Sequence, residues 1–97
     1  MAQEEPLELV AHRFSNEAFE VAKAFVAGDG DPAALKAKAA ELQERLPTIS
    51  SRLSSLPEAE RVDANRVLSE ASLDIGYVLA GGNVPSSIRL HHVMSGN

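Results

Sequence analysis

The chain contains no cysteine and no tryptophan. Without thiols it can form neither a disulfide nor a thiolate metal site, and its cysteine usage gives no sign of an oxidising compartment. Aromatics are scarce, with three Phe and one Tyr, so Leu, Val and Ala must fill any core. No apolar run approaches the roughly 20 residues that a membrane-spanning helix needs. Basic residues are outnumbered by acidic ones, 9 to 14, for a net charge of -5. That balance disfavours nonspecific nucleic-acid binding, which relies on clustered Lys and Arg to release counterions. The first ten residues, MAQEEPLELV, are acidic and place no basic segment before an apolar stretch. No signal peptide is expected, and the expected location is the cytoplasm.

What is present is helical patterning. The 97 residues, 44% of them hydrophobic, suit one small domain with one core. A first helix is expected from about Pro6 to Ala27. Leu7, Val10, Ala11, Phe14, Ala18, Val21, Ala22 and Phe25 form its apolar stripe, which Phe19 and Val26 widen to about half the circumference. The stretch AGDGDP at Ala27–Pro32 then raises a question, because two aspartates among glycines resemble the start of a metal or phosphate loop. A calcium loop needs further oxygen ligands and a Glu at its twelfth position, where Ala40 stands, and the Walker pattern is absent. A helix break accounts for every residue. Gly28 ends one helix, Asp31 caps the next, and Pro32 takes its first position.

The second helix carries Leu35, Ala39, Leu42, Leu46, Ile49, Leu53 and Leu56, a heptad seam that stays in phase across Pro47. A kinked continuous helix is therefore expected, with a stop at Leu46 as the rival. The third starts near Ser55, where Ser55 and Glu58 fit a capping box around Pro57, and ends before Gly81–Gly82. Its seam is Ala64, Leu68, Ala71, Ile75 and Val78, bordered by Val67 and Leu79.

The two seams match in an antiparallel hairpin that turns near residue 55. Leu46 then meets Ala64, Leu42 meets Leu68, Ala39 meets Ala71, and Leu35 meets Ile75. Edge charges agree with this register, with Arg52 facing Glu60 and Lys38 facing Asp74. The expected fold is all-α, an up-down-up three-helix bundle over 1–82 with helices two and three antiparallel. Residues 83–97 form a tail or short helical turn capped by Ser86 or Ser87, and either pack on the bundle or order on a partner.

Chemistry-bearing patterns are few. His12, His91 and His92 are the available imidazoles. Adjacent histidines point apart on a helix or a strand, and HExxH spacing is missing, so a metal site would need His12 with Glu5 or Glu8 brought close. A ligand- or metal-binding bundle using the three histidines is the alternative reading. Ser50, Ser51, Ser54 and Ser55 have no nearby histidine and no nucleophile elbow, and helix capping explains them. The seams themselves hold no polar residue, so no enzyme activity and no cofactor are expected. A row of Lys38, Arg45 and Arg52 is the one basic feature, and helix pairing uses it better than DNA would.

Surplus apolar surface remains: Phe19, Val26, Val62, Leu73 and Tyr77, then Ile88, Leu90, Val93 and Met94 in the tail. One reading is internal, with the tail folding back to cover the others. The other reading makes these nine residues a partner-binding surface. The expected function is a non-enzymatic protein–protein interaction module, such as an adaptor, assembly chaperone or inhibitor. It would self-associate as a homodimer, without nucleic acid or membrane.

Overall fold

The computed structural model describes residues 7–95, apart from the side chain of Glu8. Pro6, expected at the first helical position, and Glu5 lie outside the described residues. The described chain is all-helical. Helices α1 (Leu7–Ala27), α2 (Pro32–Leu53) and α3 (Glu58–Leu79) pack together, and a short α4 (Ile88–Met94) follows. No described helix is long and apolar enough to cross a membrane.

The break at AGDGDP is a double cap. Gly28 sits at φ 75°, and its N–H donates to the Phe25 carbonyl while that of Asp29 donates to the Ala24 carbonyl. These two bonds tie up carbonyls that the helix end leaves free, and the left-handed residue between them favours glycine. Asp31 caps α2, its carboxylate accepting from the Ala33 N–H at 3.2 Å, with Pro32 leading the helix. The end of α3 repeats the device. Gly81, at φ 69°, donates to the Val78 carbonyl, and Gly82 donates to that of Tyr77.

α2 runs unbroken through Pro47. The seam explains this: Ala39, Leu42, Ile49 and Leu53 on either side of the proline are all buried, and their burial outweighs one missing backbone bond.

The expected capping box at the start of α3 is not formed. Pro57 holds the cap position with no side-chain bond, while Ser54 and Ser55 donate backward to the Ser51 and Arg52 carbonyls. Each hydroxyl is taken up by a carbonyl at the end of α2 at 2.9 Å, and neither caps α3. Glu58 and Glu60 in the first turn supply the favourable charge instead.

The core joins Phe14, Ala18 and Ala22 of α1, Leu42 and Leu53 of α2, and Leu68, Ala71, Ile75 and Val78 of α3. The tail contributes too, because Leu90 of α4 is fully buried.

The charged edge differs from expectation. Glu17 of α1 receives Arg45 at 3.1 Å and Lys38 at 3.8 Å, and Lys38 also reaches Glu41. Lys38 does not face Asp74, which is 2% exposed and belongs to the interior.

Gly76 stands inside α3, and a Cβ built there meets nothing within 4 Å. Mid-helix glycine costs about 1 kcal/mol relative to alanine. Gly76→Ala should therefore raise the stability of the folded monomer by about 0.5–1 kcal/mol, read from urea midpoints at fixed slope and at protein concentrations too low for self-association. A fall instead would show that the space above Gly76 is filled in solution.

Candidate functional site

Two regions stand out, a polar cleft and a set of exposed apolar side chains. The cleft follows from helical spacing. On α1, His12, Ser15, Asn16 and Phe19 recur at intervals of three and four and flank the core stripe. On α3, Asp63, Arg66, Val67, Glu70 and Asp74 do the same. α4 lies over the junction and brings Ile88 and Arg89. The cleft has a volume of about 420 Å³ and is lined by His12, Ser15, Asn16, Arg66, Val67, Glu70, Ile88 and Arg89.

A hydrogen-bonded chain runs along one wall. His12 Nε2 donates to Asp63 Oδ2 at 3.0 Å. Arg66 donates to Asp63 Oδ1 at 2.9 Å and to Glu70 Oε2 at 3.4 Å. The Arg66 guanidinium, with help from His12, holds the Asp63 carboxyl below its ordinary value of 3.8. On the other wall Arg89 lies 3.8 Å from the centre of the Phe19 ring and donates to Asn16 Oδ1 at 3.2 Å. Stacking and the amide together fix the guanidinium. Ser15, 5% exposed, lies between these walls.

Behind the cleft, Asp74 anchors α4. Its Oδ1 accepts from the Ser87 N–H at 3.3 Å, and Ser87 in turn caps α4 by accepting from the Leu90 N–H at 3.2 Å. Burial pushes the Asp74 carboxyl above its ordinary value, against the bonds from Ser87 and the charge of Arg89.

The nine residues expected to bind a partner divide into two groups. Leu90 is fully buried, and Phe19, Tyr77 and Met94 pack against the core. Tyr77 meets Phe25 edge-on at 6.3 Å and donates its hydroxyl to the Met94 sulfur at 3.2 Å. For these four the tail folds back on its own bundle. Val26, Val62, Leu73, Ile88 and Val93 are exposed, Ile88 at 73% and Val62 at 63%. Leu9 and Val84 are exposed as well, although neither was singled out from the sequence.

The three histidines do not assemble. His12 is tied to Asp63, while His91 and His92 lie exposed on the last turn of α4. Among the described residues no group of three or more His, Cys, Asp or Glu is placed to hold a metal ion. Glu5 and the Glu8 side chain, named as further ligands, lie outside the described residues.

Sequence reasoning missed Asp74 and Ser15. Both had a signal. Ala64, Val67, Ala71, Asp74 and Val78 keep heptad spacing, as do Ala11, Ser15, Ala18 and Ala22, so each polar residue interrupts an apolar stripe. No protein-family model, no curated protein and no solved structure matches this chain.

Proposed function

We propose that this chain is a non-catalytic protein–protein interaction module that works in the cytoplasm and self-associates through the outer face of α3. One observation carries the reading: Val62 and Leu73, 63% and 45% exposed, share a face of α3 with the open position at Gly76. Val62 and Gly76 are each seven residues from Ser69. Two copies crossing antiparallel at Ser69 would set Val62 of one over Gly76 of the other and the reverse, the reciprocity that a two-fold interface requires.

The bundle behind this face is read as up-down-up, with α2 and α3 antiparallel. Supporting this, Lys36 at the start of α2 comes within 3.9 Å of a Cβ built on Gly81, past the end of α3. Leu46 and Ser50 share a groove with Asn65, Leu68, Ser69 and Ser72. Phe25 meets Tyr77 near the ends of α1 and α3, and His12 meets Asp63 near their starts.

Light scattering over a concentration series tests the association. The unmodified chain is expected to reach the dimer mass, and a Val62→Asp/Leu73→Asp variant to stay monomeric with unchanged helicity. A monomer at every concentration, or a dimer that survives both substitutions, would overturn the proposal.

A further inference from the structure

We propose that the cleft between α1, α3 and α4 binds a small ligand through an oxyanion, either a carboxylate or a phosphate. The inference goes beyond the interaction reading and does not rest on it.

The volume falls in the range of small-ligand sites. Two guanidinium groups border it from different helices, Arg66 of α3 and Arg89 of α4. Both are held in place before any ligand arrives, Arg66 by Asp63 and Glu70, Arg89 by Asn16 and the Phe19 ring. A guanidinium has five N–H donors, and these contacts take two from Arg66 and one from Arg89. The remaining donors form a fork that suits planar or tetrahedral oxyanions.

Ser15 adds a hydroxyl-bearing side chain to the lining. The residue is 5% exposed, so its neighbours hold it in place.

Charge supports the same ligand class. The lining itself holds two arginines and Glu70, and Asp63 on the same wall is already engaged by Arg66 and His12. Glu70 is engaged by Arg66 and does not stand free to repel an anion. A cation finds less here, because Asp63 and Glu70 both already receive Arg66. An apolar ligand would find only Val67 and Ile88.

The test is an amide NMR titration of the full chain with sodium phosphate and, separately, sodium succinate, at ionic strength held constant with sodium chloride. Saturable shifts are expected at Ser15, Asn16, Val67 and Arg89, with a dissociation constant of about a millimolar for so open a site. Arg89→Gln should weaken binding about tenfold through loss of a charge-assisted pair. Should that change undock α4, seen as a displaced Leu90 amide, Arg66→Gln on α3 is expected to give the same loss with α4 in place. Saturation by succinate alone identifies a carboxylate ligand, by phosphate alone a phosphoryl ligand, and by both the shared chemistry. Shifts that never saturate in either arm, or that persist unchanged in both arginine variants, would overturn the site.

Discussion

Phe14→Ala is expected to cost about 3–5 kcal/mol, most of the stability of a small domain. Phe14 is 1% exposed and is the largest fully buried side chain in the core. Its surroundings make the loss severe. Ala11, Ala18, Ala22, Ala39, Ala64 and Ala71 are all buried in the same core. Alanines have no rotamers with which to lean into a void, so the cavity can close only if whole helices move. The Arg45 guanidinium, 5.5 Å from the ring centre, also loses the aromatic face on which it rests. For a chain of this length each kcal/mol lowers the melting temperature by about 4–8 °C, which puts the variant at least roughly 12 °C below the parent. Phe14→Leu fills most of the volume and should lose much less, about 1–2 kcal/mol. Urea unfolding followed by circular dichroism measures both. Equal midpoints for the alanine variant and the parent would remove Phe14 from the core.

The leucines and alanines of α2 and α3 made the fold readable because their periodicity is a direct statement of burial. Leu42, Ala39 and Ile49 lie on a seam in the sequence and lie buried in the structure for the same reason, the 3.6-residue turn. The glycine stops were equally plain. Gly28 and Gly81 need positive φ, and few other residues adopt it cheaply. Chain direction at the serine cluster was not readable. Ser55 has carbonyls behind it and amides ahead, and its hydroxyl can serve either.

The cleft was harder for a different reason. Its walls come from α1, α3 and α4, with Asn16 and Arg89 in contact across 73 positions of sequence. Local spacing shows that His12 and Asn16 share a face of α1. It does not show which helix that face meets. Asp74 is the instructive miss. Treated as a charge, it was assigned to the solvent edge beside Lys38. Treated as a heptad position between Ala71 and Val78, it belongs inside. An ionisable residue enters such a stripe only when a partner waits there, and the partner, Ser87, lies in the segment with the weakest periodicity.

That buried carboxylate sets the second large effect. Asp74→Ala should destabilise the chain by about 1–3 kcal/mol at neutral pH, because it leaves the buried Ser87 N–H without its acceptor. Asp74→Asn keeps an acceptor oxygen and removes the charge, and its consequence depends on pH. Burial raises the Asp74 carboxyl above its ordinary value of 3.8 in the folded chain, and Glu70 adds to the rise. The folded state thus holds its proton more tightly than the unfolded state does. The resulting stability is full below the ordinary carboxylate value and is lost as pH climbs through the raised one. Above that window the chain carries an ionised group in its interior, which the Ser87 bonds and the Arg89 charge only partly offset. Asparagine carries no such penalty. The stability of Asp74→Asn relative to the parent should therefore rise across the window and level off above it, with α4 docked throughout. Chemical denaturation of both chains from pH 3 to pH 8, with the Leu90 amide reporting on α4, measures the difference. A constant difference across that range would mean that folding leaves the carboxyl unshifted. A difference that falls with rising pH would mean that Ser87 and Arg89 outweigh burial, and that the charged form of Asp74 is the one that holds α4 on the bundle.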